Sequence, residues 1–154
     1  MDFISKNTVK GEVKGVKIDF ITHAYPLVNP PVIFEDIRMA GIEDIAAMKL
    51  NAIIGNGTRL KDFIDIAYSS SLISLNQMLS GFEKKYEVHN PVMAIKALSY
   101  FNDINQSEPI YLLNGKPKWP RIEDRIMKMI ASPSKIFPTL SMAVKQERKH
   151  KPRL

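Results

Sequence analysis

Val9 to Val13 and Val16 to Ile21 are segments rich in β-branched residues, separated by Lys14-Gly15. That spacing predicts a β-hairpin. Within the second segment Val16, Ile18 and Phe20 fall on one face and Lys17 and Asp19 on the other, so the apolar set is expected to pack on a core and the charged set to face outward. Pro26, Pro30 and Pro31 then interrupt regular pairing and predict an extended connection. Val32 to Met39 reads as a short strand pair turning around Glu35-Asp36.

From Ile42 the periodicity becomes helical. Gly41 can cap a helix from Ile42 to Ile54, with Glu43 and Asp44 complementing the dipole and Gly55-Asn56-Gly57 ending it. A second helix should include Lys61 to Ser69. A third should carry Leu72, Leu75, Leu79 and Phe82 on one face. Asn90-Pro91 suits the start of a fourth, apolar on most sides from Val92 to Phe101, which predicts a buried central helix. Residues 102–118 read as loop. Trp119-Pro120 starts a fifth helix with Ile122, Ile126 and Met129 as its apolar stripe, and Pro133 and Pro138 end it. The pattern is that of an α+β chain: strands over residues 1–40, a helical region of about five helices over 41–140, and a basic tail over 141–154.

The 154 residues suffice for a hydrophobic core. No run of eighteen apolar residues is present and the N-terminus lacks a secretory pattern, so a cytoplasmic protein away from the membrane is expected. Zero cysteines exclude disulfides, thiolate metal sites and a cysteine nucleophile. The net charge of +6 sits mostly at the C-terminus, where Lys145, Arg148, Lys149, Lys151 and Arg153 face only Glu147, a balance of +4. Such a tail is more often a solvated terminus than an arm laid on phosphates. His23, His89 and His150 have no metal-ligand spacing, and Ser69 to Ser71 mark a helix boundary rather than a nucleophile. Tyr100-Phe101 and Tyr111 could stack on bases, but scattered aromatics usually belong to the core, and the methionines read as core filler.

Lys49 is the anomaly. On a helical wheel it falls in the middle of the stripe formed by Ile42, Ile45, Ala46 and Ile53. An ammonium there either snorkels to the domain edge or meets an anion, from a carboxylate or a ligand phosphate. Lys61, Asp62 and Asp65 begin the next helix. Either aspartate could be a dipole complement, or could reach across Gly55-Asn56-Gly57 to hold Lys49 toward a triphosphate.

The stretch GVKIDFITHAYPLVNPPVIFEDIRMAGIEDIAAMKLNAIIGNGTRLKDFIDIA, Gly15 to Ala67, resembles the nucleotidyltransferase family of AbiEii/AbiGii-type toxins, most densely in IEDIAAMKLNAIIGNGTRLKDFIDI. HNPVMAIKALSYF resembles that family's C-terminal helical region, and the resemblance covers most of residues 9–131. It implies a partial nucleotidyltransferase-like sheet followed by a helical bundle. Members pair with an antitoxin, bind a nucleoside triphosphate with Mg2+, and add nucleotides to the acceptor end of transfer RNA. By resemblance Lys49 matches the functional lysine, Lys61 a nucleotide-binding neighbour, Asp62 and Asp65 the paired acids, and Asp19 a metal-binding strand carboxylate.

The chain departs from the family at one point. The Gly-Gly or Gly-Ser turn followed by an acid-x-acid pair, which cradles the triphosphate and binds the metals, is absent, since no two acidic residues stand two positions apart. Asn56 also stands where many relatives carry a basic residue. The expectation is therefore a truncated gene, a fragment or half of a split protein, inactive alone and prone to self-association. The alternative is a non-catalytic module that binds an antitoxin-like partner or its own copy.

Overall fold

Paired positive φ angles shape the strand-rich front of the chain. Lys14 (φ 49°) and Gly15 (φ 81°) form a two-residue turn whose twist matches the flanking strands, and β2 (Thr8–Val13) and β3 (Val16–Ile21) pair antiparallel across it in the register Val13↔Val16, Gly11↔Ile18 and Val9↔Phe20. A three-residue strand, β1 (Phe3–Ser5), too short to show periodicity, adds to the far side of β2. Glu35 (φ 47°) and Asp36 (φ 63°) make a second such turn between β4 (Val32–Phe34) and β5 (Ile37–Met39), the strand pair expected there. The computed structural model describes residues 3–5, 7–107, 109–110 and 118–140; Tyr111, Met142, His150 and the basic tail lie outside the described residues.

Five helices follow: α1 (Ile42–Gly55), α2 (Leu60–Ser69), α3 (Leu75–Tyr86), α4 (Val92–Leu98) and α5 (Trp119–Ala131). The chain is thus α+β. Gly41 opens α1 in extended backbone, as expected of a cap without a side chain. Ser74 and Gln77 cap α3 reciprocally, a capping box that the sequence displays as S-x-x-Q. Helix α1 packs on α2, α3 and α4, and α5 on α2. Gly81 permits the close α1–α3 approach, because a Cβ there would stand 3.3 Å from the Glu43 carbonyl oxygen. At the centre Phe63 is fully buried and meets Phe101 and Trp119 edge-on, with ring centroids 6.0 and 6.1 Å away.

Four expectations are corrected. Val16 and Phe20 do not pack on a core; they are 61% and 68% exposed, and Val32, Ile33, Phe34 and Ile37 are exposed as well. The helices complete a core with Ile73, Ile104 and Phe137 from the segments around them, and among the described residues before Gly41 only Val28 buries an apolar side chain. Leu72 is exposed in the turn before α3, because the chain is still turning there. Helix α4 is short and peripheral: it buries Ala94 and Leu98 and exposes Val92 and Met93. Of the described methionines, Met78 and Met129 fill the core, whereas Met39, Met93 and Met127 are exposed.

The link from strands to helices is a buried ion pair absent from the sequence reading. Asp44, fully buried in the first turn of α1, lies 2.7 Å from the Lys85 Nζ at the end of α3. Its carboxylate also accepts from the Val28 and Asn29 backbone N–H groups at 3.0 and 3.4 Å. Lys85 donates to the Pro26 carbonyl at 2.8 Å and Lys84 to that of Val28 at 2.6 Å. The proline-rich connection is thereby fastened to both helices. Burial pushes the Asp44 carboxyl up, but hydrogen bonds from Lys85, Val28 and Asn29 outweigh it and hold the group below the ordinary carboxylate range.

Removing either partner strands a buried charge, so Lys85→Met and Asp44→Leu should each cost about 3–5 kcal/mol by urea denaturation, with the double variant recovering part of the loss. Because the Asp44 pKa is depressed, its stabilisation is present above the unfolded value and is lost as pH falls through the folded one. Acid titration should therefore cost the native protein more stability than it costs the double variant.

Candidate functional site

The order of elements brings Lys49 to the paired acids. Helix α1 ends at Gly55-Asn56-Gly57, where the Asn56 side chain accepts from the Thr58 N–H and hydroxyl at 3.2 and 2.7 Å and shapes a tight return into α2. The return lays the first turns of α2 along α1. Lys49 Nζ then stands 2.9 Å from Asp62 Oδ1 and 2.7 Å from Asp65 Oδ2, so both aspartates meet it. The three residues differ in exposure: the Asp62 side chain is 1% exposed, Lys49 29% and Asp65 44%, a gradient from interior to solvent.

Lys49 flanks the buried face of α1 rather than centring it. The buried positions are Asp44, Ala46, Ala47, Leu50 and Ile53, a face rotated away from the stripe expected from Ile42 and Ile45, which are half-buried. Helices α2, α3 and α4 all pack against α1, and no wheel drawn from one helix could include them. Burial pulls the Lys49 ammonium toward neutrality, yet its hydrogen bonds to Asp65 and Asp62 overcome this and raise its pKa above the ordinary lysine value.

Arg59, at the N-cap of α2, places Nη1 3.5 Å from Asp62 Oδ2. That oxygen is buried and accepts no hydrogen bond among the described residues. Arg59 is the member of this cluster that the sequence reading passed over; its place three residues before Asp62 is the signal that was available. Lys61 is exposed on α2. Asp19 lies elsewhere, on β3, half-exposed and 3.9 Å from Lys10 across the ladder. The structure therefore joins Lys49, Asp62 and Asp65 but does not bring Asp19 to them.

The magnesium implied by the resemblance finds no matching donor set. No three His, Cys, Asp or Glu side chains converge among the described residues, and the two neighbouring carboxylates already hold an ammonium. A separate cleft of about 430 Å³ opens on another face of α2, between Leu60, Ile64, Trp119 and Arg121. Tyr100 is exposed while Phe101 packs in the aromatic core, and the hydroxyls of Ser69, Ser70 and Ser71 bond to backbone carbonyls one turn back, as expected of a helix end. No helix among the described residues is long and apolar enough to cross a membrane.

No protein-family model matches the chain, and no solved structure matches it. The chain is similar to the uncharacterized protein aq_aa25 of Aquifex aeolicus (strain VF5), 32% identical over 124 residues that cover 78% of this chain and 58% of that protein. The chain thus spans less than two thirds of that relative's length.

The exposure gradient ranks the two carboxylates. Asp62→Asn should destabilise by about 1–3 kcal/mol, since the Lys49 ammonium loses its buried counter-charge and keeps only a neutral acceptor, and Asp65→Asn by about 0–1 kcal/mol, since water replaces the partner. The raised Lys49 pKa adds a sign. Its contribution is present below the unfolded lysine pKa and is lost as pH rises through the folded one, so the gap between wild type and Asp62→Asn should narrow at strongly alkaline pH in urea titrations.

Proposed function

We propose that this chain is a nucleotidyltransferase-toxin-like protein, of the toxin–antitoxin or phage-defence type, that retains the lysine–aspartate half of a nucleoside triphosphate site and does not catalyse transfer alone. The observation that carries the reading is the Lys49 ammonium, held between a buried and a solvent-facing carboxylate at the α1–α2 junction. Its side chain is exposed enough to reach a phosphate, and Asp62 anchors it from below. A triphosphate entering from the solvent side would compete with Asp65, the weaker and more hydrated of the two partners. Arg59 supplies a second cation within the same turn. The resemblance of IEDIAAMKLNAIIGNGTRLKDFIDI to the toxin family supports the assignment of roles, with Lys61 as the neighbouring nucleotide contact and Asp19 as a metal-site carboxylate only in a completed protein.

The chemistry available to these residues is binding and charge screening. Lys49 can orient a phosphate and neutralise charge on it, and Asp62 can hold the ammonium in place. The described residues provide no set of converging carboxylates for Mg2+, so no transfer step is assigned to them. Transfer RNA and an antitoxin are partners proposed for a protein whose site is completed. The exposed apolar side chains of the strands favour a second reading, a module that binds an antitoxin-like protein or its own copy.

Calorimetric titration with a nucleoside triphosphate separates the two. Under the first reading Lys49→Ala weakens binding by about tenfold or more, roughly the loss of one charge-assisted contact, while far-ultraviolet circular dichroism is unchanged. Equal binding by wild type and Lys49→Ala would overturn the site. Magnesium-dependent incorporation of labelled nucleotide into transfer RNA by the purified chain would overturn its inactivity.

A further inference from the structure

The free edge of β3 is complementary to itself. Among the described residues, strand order β1-β2-β3 leaves β3 with one neighbour, and at six residues it is twice as long as β1, β4 or β5. The Thr22 N–H bonds to the Asn7 carbonyl at 2.9 Å, which sets the phase of the ladder. In that phase Val16, Ile18 and Phe20 spend their backbone groups on β2, while Lys17, Asp19 and Ile21 direct theirs to the open side.

We infer that two copies of this chain pair antiparallel along β3, with Ile18 on the two-fold axis. In that register Lys17 of one copy faces Asp19 of the second, and their outward N–H and C=O groups exchange hydrogen bonds. Val16 faces Phe20 of the second copy, extending the row of Val9 and Phe20. The charges then alternate across four strands. Glu12 lies beside Lys17, Lys17 beside Asp19 of the second copy, and that Asp19 beside Lys10 of its own β2. Neighbouring two-fold registers that keep the faces aligned set Lys17 against Lys17 or Asp19 against Asp19, and like charges directly opposed are unfavourable. A single lysine on an edge strand usually repels further pairing; a lysine and an aspartate two residues apart instead select one partner and one register. The inference is independent of the triphosphate reading.

The absence of cysteine in the chain permits a direct test. Ile18→Cys should form a disulfide-linked dimer under mild oxidation, because directly opposed residues of a non-hydrogen-bonded pair lie about 4.5 Å apart at Cα, within disulfide reach. Lys17→Cys and Asp19→Cys should not. By sedimentation the wild type should show twice the chain's 17.5 kDa. Lys17→Glu and Asp19→Lys should each be monomeric, and an equimolar mixture of the two should recover the dimer, since each then supplies the charge the other lacks. A wild type that stays monomeric, a dimer that tolerates both single substitutions, or a mixture that stays monomeric would overturn the pairing. Recovery in the mixture also shows that both variants are folded.

Discussion

The fastening of residues 26–29, between the two sheets, to the helices centres on one buried pair of charges. Asp44 and Lys85 come from the beginning of α1 and the end of α3, and neither is accessible to water. An ion pair so deeply buried is retained only when its remaining valences are satisfied. Here the satisfying groups are the backbone N–H of Val28 and Asn29 and the carbonyl of Pro26. The connection has no regular structure of its own to occupy these groups, and its prolines keep it extended. Irregular backbone thus meets side-chain charge, and the path of residues 26–29 over the helices follows.

The candidate site uses the same chemistry with the opposite exposure. Lys49, Asp62 and Asp65 also form a pairing between helices, but the cluster opens to solvent through Asp65 and, among the described residues, leaves Asp62 Oδ2 without a hydrogen bond. A purely structural pair gains by closing, as Asp44 and Lys85 do. At Lys49 the ammonium stands between a buried carboxylate and a solvent-facing one. The contrast within one fold separates a closed fastening from a pair left partly open to solvent.

The strands impose a different constraint. Their turns are locally determined, but among the described residues no helix covers their apolar faces. The helical core is closed by Phe63, Leu50, Ile66, Met78, Leu98, Ile126 and their neighbours without help from Val16 or Phe20. Hydrophobic alternation specifies that a face will be buried when a complementary surface is available; it says nothing about which surface, or whether the same chain carries it.

Local pattern was enough for the elements with local causes. The two hairpins follow from Lys14-Gly15 and Glu35-Asp36, and the α5 stripe of Ile122, Ile126 and Met129 is buried as its periodicity requires. The approach of Lys49 to the acids was legible too, because a short Gly-Asn-Gly connection forces adjacent helices together. Tertiary structure alone decided that α4 lies at the periphery, that the buried face of α1 turns past Lys49, and that Asp44, in the first turn of α1, also meets Lys85. The Asp44–Lys85 pair joins residues 41 apart in the sequence, and a periodicity measured within one element carries no information about the element that will cover it.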